Sequence, residues 1–220
     1  SKPALVSLSP VQAEDVPALL RVHTAAFKTD QFSNLMLLNR DEDAHHEVMG
    51  RSIRRWISDP AAKLTRALDE DGRLVGWSCW IVKTGYEEEP APIRDPVADA
   101  GAGRAEAGHA ERGPPPEAQK EQDPARALGG LMFRDMTSWE GKHLGGKRYV
   151  VLQALATDPR YQRQGVATKL VRHGLEKVDS QGFPCWIHAS PTSHSLYVKA
   201  GFEEVGRSDY DLDEWAPGGK

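Results

Sequence analysis

Leu155-Ala-Thr-Asp-Pro-Arg-Tyr-Gln-Arg-Gln-Gly-Val-Ala-Thr-Lys-Leu170 is the stretch that decides how this 220-residue chain folds. The apolar run Tyr149 to Ala156 reads as a buried strand that stops at Asp158-Pro159. A short turn follows, Gln162-Arg163-Gln164-Gly165-Val166-Ala167, and then a helix. Val166, Ala167, Leu170, Val171, Gly174, Leu175 and Val178 recur at helical period on one face of it. A strand, a tight glycine-bearing turn and a helix start aim several backbone N–H groups at one point. The positive end of the helix dipole adds to them. An anionic, phosphate-bearing ligand is the natural occupant of such a point.

The turn is too short for a nucleotide P-loop, which needs a longer arc ending in Gly-Lys-Ser/Thr. It also lacks the three glycines of a dinucleotide fingerprint. It resembles instead the pyrophosphate loop of the GNAT superfamily, the acyl-CoA-dependent N-acyltransferases. That loop reads Gln/Arg-x-x-Gly-x-Gly/Ala, here Gln162, Gly165 and Ala167. A second stretch, Leu196-Tyr-Val-Lys-Ala-Gly-Phe202, is similar to the family's L-Y-x-x-x-G-F at the end of a short helix. The resemblance extends over nearly the whole chain, and most closely to small-molecule acetyltransferases of fungi. It implies an α/β (mixed α+β) fold: a central, mostly antiparallel mixed sheet with a splayed parallel strand pair and helices on both faces. It also implies acetyl-CoA as co-substrate.

The length suits one domain over residues 1–220 with a large insertion. A net charge of -4 gives no reason to expect nucleic acid. The two cysteines, Cys79 and Cys185, fall in strand-like runs and read as reduced thiols of a cytoplasmic or nuclear protein. No secretory signal, membrane span or lipidation signal is expected. Metal is not expected either: His45 and His46 are adjacent on a helix and face different ways, and no Cys/His cluster has ligand spacing.

Ala4 to Leu8 reads as a strand, and Asp15 with Pro17 as the capped start of a helix carrying Val16, Leu19, Leu20, Val22 and Phe27. A second helix is expected from Asp41 to Ile57, with Val48, Ile53, Trp56 and Ile57 inward. Lys63 to Leu68 and Leu74 to Val82 form a hairpin about Asp71-Gly72. From Tyr86 to Ala127 the chain is Ala, Pro, Gly and Glu, with too little apolar surface to offset its ordering entropy. Composition alone therefore predicts a mobile insertion at 86–127. Order is expected again at Leu128, where Leu128, Leu131, Met132, Met136 and Trp139 form a helical stripe. Lys147 to Ala156 is the expected central strand, and Cys185 to Ala189 a strand parallel to it. Phe202 to Arg207 and Tyr210 to Leu212 are expected to close an edge hairpin. Outside the insertion the expected order is strand, two helices, three strands, helix, strand, helix, strand.

Acyl transfer from a thioester to an amine needs three things: a donor at the carbonyl oxygen, a neutral amine and a proton for the departing thiolate. In the family the central strand bulges and splays, and pantetheine lies in the gap as a pseudo-strand. The resemblance thus assigns main-chain contacts to Leu155, Ala156 and Thr157. It assigns the pyrophosphate to the amides of Gln162, Arg163, Gln164, Gly165, Val166 and Ala167, with Thr168 in the first helical turn. Arg160, Arg163 and Lys169 can add positive charge or be solvated surface residues. Ser190 stands where many members have a CoA-contacting asparagine, and serves equally as the residue that starts a helix before Pro191. Tyr197 takes the family's place beside the CoA sulfur, as the proton donor to the thiolate.

Some members carry histidine or glutamate on the central strand before the bulge. Here those positions are Val151 and Gln153. His188, Asp135, Glu140 and His143 are the fallback bases, and the sequence assigns none. The acceptor pocket is expected between Phe27, Asp30, Phe32 and Leu35 and the Leu128 to Trp139 helix. Three functional readings follow. The first is acetyl-CoA-dependent acetylation of a small primary amine. The others are a protein or peptide acetyltransferase and a non-catalytic CoA-binding regulator, of which a retained Tyr197 disfavours the last.

Overall fold

The computed structural model describes residues 2–28, 30, 42–85 and 123–215. Most of the expected insertion, together with Phe32 and Leu35 of the expected pocket, lies outside them. In chain order the elements are β1 (Ser7–Pro10), α1 (Val16–Phe27), α2 (Glu42–Ser58), β2 (Ala62–Leu68) and β3 (Leu74–Thr84). Then come α3 (Pro124–Leu144), β4 (Arg148–Thr157), α4 (Val166–Gln181), β5 (Cys185–Trp186), α5 (His194–Lys199) and α6 (Leu212–Trp215). The strands form one sheet in the order β1-β2-β3-β4-β5, antiparallel except for the parallel β4–β5 pair. This is the mixed sheet with helices on both faces that the sequence predicts. No described helix is long and apolar enough to cross a membrane.

One face of the sheet is covered by α1 and α2. Leu19, Val22, Ile53 and Trp77 are fully buried there, with Trp56 and Ala156 beside them. The Trp77 indole nitrogen donates to the Leu19 carbonyl at 3.1 Å, so the largest core side chain leaves no buried donor unpaired. The other face is covered by α4, whose apolar stripe buries Val166, Leu170, Val171, Gly174 and Val178 as its periodicity requires. Gly174 is there for close approach: a Cβ at this position would lie 2.1 Å from the Trp80 ring. An indole wedged between strand and helix cannot retreat. Gly174→Ala is expected to cost roughly 2 kcal/mol. For a chain of this size that lowers the melting temperature by about 4–8 °C, measurable by calorimetry.

The β3–β4 register steps from Trp80↔Leu152 to Cys79↔Ala154, leaving Gln153 unopposed. That is a bulge in β4, and it shows in the packing. Leu152 and Leu155 lie in the same cluster on the α4 side although three residues apart, where an unbroken strand would turn them to opposite faces. β5 pairs with β4 only at Val150↔Cys185 and Val151↔Trp186. From Leu152 to Thr157, β4 therefore has no strand partner on that edge among the described residues.

Four local expectations need correction. Asp15 does not cap α1. Its carboxylate accepts from the Gln12 amide at 2.7 Å and pairs with Arg66 at 2.7 Å, tying the 3₁₀ turn before α1 to β2. Helix α3 starts at Pro124, inside the expected insertion; Asp123 caps it by accepting from the Arg126 amide at 3.0 Å, and Ala125 and Ala127 are buried. It lies between β3 and β4, where the Leu128 to Trp139 stripe put a helix before the central strand, so the expected order of three consecutive strands does not hold. The predicted strand at Cys185 to Ala189 is only two residues long, because the chain parts from β4 after Trp186. The expected edge hairpin is absent: no strand follows β5 among the described residues. Residues 203–209 are exposed and carry no alternating apolar pattern, so a strand there would have nothing to bury. The tail instead lies against α3. The Trp139 indole donates to Ser208 Oγ at 2.9 Å, the Tyr210 hydroxyl bonds to Asp135, and Gly206 sits against the Trp139 ring.

Candidate active site

The unpaired edge of β4 leads straight into the turn before α4. Asp158 closes the strand and Gln162 ties the turn back to it, its side-chain amide donating to the Thr157 carbonyl at 3.2 Å. Gln164 clasps the turn from within, donating to the Arg160 carbonyl at 2.7 Å, while its own carbonyl accepts from the Ala4 amide at 2.9 Å. Two left-handed residues make the bend: Arg163 at φ 59° and Gly165 at φ 86°. Gly165 occupies the N-cap of α4 and no side chain caps the helix. The first helical bond runs from the Lys169 amide to the Gly165 carbonyl at 3.0 Å, so the amides of Val166, Ala167 and Thr168 precede the hydrogen-bonded ladder. Gln162 is the exception in the expected set of free donors, since its amide already reaches Pro159 O at 3.4 Å.

The cations expected around this turn are less available than the sequence implied. Arg160 forms a bidentate pair with the buried Asp158, at 3.1 and 2.7 Å, and this hydrogen bonding holds the Asp158 carboxyl below its usual range. Lys169 Nζ donates to the Val6 carbonyl at 3.0 Å. The amides and the α4 dipole add a positive potential at the turn that is fixed in space and in sign.

Leu155, Ala156 and Thr157 form the last part of the unpaired edge. Ala156 packs toward α1 and Leu155 toward α4. Thr157 is buried, and its hydroxyl oxygen has no hydrogen-bond partner among the described residues. Tyr197 lies on the α4 face in one cluster with Trp80, Val150, Leu152 and Val171, only 9% exposed. The Phe202 ring meets it edge-on at 5.8 Å. Burial raises the Tyr197 phenol above its ordinary value and a hydrogen bond from Ser193 opposes this, so it remains a neutral O–H donor at physiological pH. Gly201, at φ 98°, ends its helix as a left-handed cap. Ser190 is exposed; its carbonyl accepts from the amides of Ser193 and His194, both at 3.1 Å, and its hydroxyl lies 3.0 Å from those of Thr192 and Ser193. Every contact it makes is one that starts α5.

The opposite face of β4 carries what the sequence could not connect. Glu140 of α3 receives the Tyr149 hydroxyl at 2.5 Å, lies 2.8 Å from His188 Nε2 and has Lys83 Nζ at 3.6 Å. Burial works to raise the Glu140 carboxyl. The hydrogen bonds from His188 and Tyr149 and the charge of Lys83 outweigh it, so the group sits below the usual carboxylate range. Trp186 stands beside His188, and His143 stacks between Trp139 and Trp186 at 5.8 and 5.5 Å. Asp135 is tied to the tail through Tyr210. Of the expected acceptor-pocket residues, Phe27 packs into the α1 core. No group of three metal-ligating side chains occurs among the described residues.

The model of the acetyltransferase (GNAT) family matches residues 29–202. No curated protein matches the chain by sequence. Solved structures similar to it include a histone acetyltransferase HPA2 and related acetyltransferase of Corynebacterium glutamicum. That structure is 19% identical with a TM-score of 0.55, over 94% of this chain and 89% of the other. The aminoglycoside antibiotic 6'-N-acetyltransferase AAC(6')-Ih of Acinetobacter baumannii is 13% identical with a TM-score of 0.51, over 94% and 97%. A GNAT family acetyltransferase of Brucella melitensis in complex with acetyl-CoA is 13% identical with a TM-score of 0.50, over 91% and 84%. At such identities the likeness establishes the shared fold.

Proposed function

The chain belongs to the GNAT family of acetyltransferases, and we propose that it moves the acetyl group of acetyl-CoA onto a primary amine of a small molecule by direct attack. One observation carries the reading: the β4 edge left unpaired from Leu152 to Thr157 runs into the uncapped start of α4, with the Tyr197 phenol buried beside it. The residues fit an acyl-CoA. Pantetheine amides would pair with the main chain of Leu155, Ala156 and Thr157, and the Thr157 hydroxyl is a buried polar atom that still needs a partner. The pyrophosphate would rest on the amides of Arg163 to Thr168, which offer donors without needing the neighbouring cations. Acetyl-CoA supplies the activated acyl carbon. The β4 main-chain N–H groups stabilise the negative charge growing on its oxygen, and Tyr197 donates a proton to the departing sulfur.

A small acceptor is supported by the face opposite Tyr197. There α3 presents the Trp139 ring and the carboxylates of Glu140 and Asp135, groups whose chemistry suits a cationic amine, and the tail residues Gly206 to Tyr210 lie across α3. The test is CoA release across a panel of monoamines, polyamines, aminoglycosides and lysine-bearing peptides. Turnover is expected with small amines at kcat/KM at least about tenfold above any peptide. Turnover with peptides alone would make the enzyme a protein acetyltransferase. Tight CoA binding with no turnover on the whole panel would make the domain a binder.

A further inference from the structure

We propose that His188 accepts the proton of the acceptor ammonium through Nδ1, and that Glu140 positions it by fixing the proton on Nε2; this rests on the acetyl-transfer reading above. Val151↔Trp186 is the last β4–β5 pair, so His188, two residues on, flanks the opening where the two strands part. Trp186 packs with Tyr149 and Val151 on the face of β4 that α3 covers. His188 reaches the same layer through Glu140 of α3. Tyr197 belongs to the α4 face. The gap thus has an imidazole on one side and a phenol on the other, which is how a reaction needing a base for the nucleophile and an acid for the leaving group is best served.

Two groups lay claim to Nε2: the Glu140 carboxylate at 2.8 Å and the Trp186 indole N–H at 3.0 Å. Nε2 cannot donate to one and accept from the other. The Glu140 carboxylate accepts the Tyr149 hydroxyl at 2.5 Å and faces Lys83 Nζ at 3.6 Å, an arrangement that favours its ionised form, and a bond to an ionised acceptor is roughly twice as strong as a neutral one. The carboxylate therefore wins, and the proton sits on Nε2. Nδ1 is left with its lone pair and no partner among the described residues. A histidine fixed in this tautomer is a base by construction. The other titratable groups near it act through its two contacts: His143 of α3 packs against Trp186, and Tyr149 of β4 and Lys83 of β3 meet Glu140.

The proton balance is simple. The ammonium gives one proton to Nδ1, which passes it to solvent. The neutral amine attacks, the C–N bond forms as the C–S bond breaks, and the electron pair leaves on sulfur. The second proton lost by nitrogen replaces the one that Tyr197 gives to the thiolate.

The dependence on acceptor basicity provides a test that a structural role would not mimic. With an amine of pKa about 10, which must be deprotonated first, His188→Gln is expected to lower kcat/KM by about ten- to a hundredfold. With an amine of pKa below about 7, already neutral at the working pH, it should have almost no effect. Acetyl-CoA affinity by calorimetry should stay unchanged. Glu140→Gln leaves Nε2 two neutral partners of similar strength and should give the same amine-selective loss at about fivefold. It also decides the matter if H188Q does not fold. Equal losses on both amines, or none on either, would overturn the assignment while leaving acetyl transfer intact. A wild-type protein inactive on every amine would remove the acetyl-transfer reading itself, and this inference with it.

Discussion

Replacing Gly165 with aspartate is expected to weaken acetyl-CoA binding by at least about a hundredfold in a protein that still folds. The argument separates three effects. A Cβ at Gly165 would meet nothing within 4 Å, so no steric clash with the protein arises. The φ of 86° is unfavourable for an L-residue, at roughly 1–2 kcal/mol, with aspartate and asparagine among the residues that tolerate it best. A carboxylate at the N-cap interacts favourably with the α4 dipole, which returns about 0.3–1 kcal/mol. Net stability should then change by little more than about 1 kcal/mol. The ligand experiences something larger. A unit negative charge about 5 Å from a phosphate, at an effective dielectric near 20, opposes it by about 3 kcal/mol, more than a hundredfold in Kd. Gly165→Asn carries the same backbone strain without the charge, and should bind acetyl-CoA within about tenfold of wild type. Calorimetric titration of both variants beside their melting curves separates charge from strain. Equal affinity of wild type and G165D would remove the pyrophosphate assignment.

What the sequence made legible, and what it did not, follows from how far apart the interacting residues lie. The turn from Asp158 to Gly165 and the stripe of α4 are local: period, a glycine and a strand end lie within a few residues of one another, so their geometry is readable. The start of α3 was equally local and still missed, because Asp123-Pro124 is a cap-and-proline signal embedded in a stretch whose composition pointed the other way. The edge hairpin was over-read. Residues 203–209 lacked an alternating face, and the tail's contacts through Ser208 and Tyr210 went to Trp139 and Asp135, some 70 residues earlier, where no pattern reports them. The Arg160 pairing with Asp158, two residues away, was within reach of sequence reasoning and lowers the weight of Arg160 as a phosphate ligand. The contact of His188 with Glu140 spans 48 residues and depends on how α3 crosses the sheet. The sequence could nominate both side chains; only the fold could join them.

Tyr197→Phe tests the other half of the proposed proton traffic. The ring stays, with its edge-on contact to Phe202 and its place beside Leu152 and Val171, so stability should hold to within about 1 kcal/mol. Ser193 is not left without a partner, because its hydroxyl also lies 3.0 Å from that of Ser190. Only the proton donor is lost. Because sulfur needs it as the C–S bond breaks and not before, kcat should fall on the order of 10²-fold with KM for acetyl-CoA nearly unchanged. The dependence on pH has a definite sign. Burial raises the phenol above its ordinary value, so the wild-type donor stays protonated through neutral and mildly alkaline solution. Any rate loss caused by its ionisation belongs to the alkaline limb, at higher pH than an ordinary tyrosine would give, and that limb should vanish in the Phe variant. Tyr197→Ala supplies the contrast: it also empties the cluster under α4, and should cost about 3–5 kcal/mol of stability. A tyrosine needed only for packing gives full turnover as Phe and fails as Ala. One that protonates sulfur fails in both, and in the Phe variant it does so without a change in melting temperature.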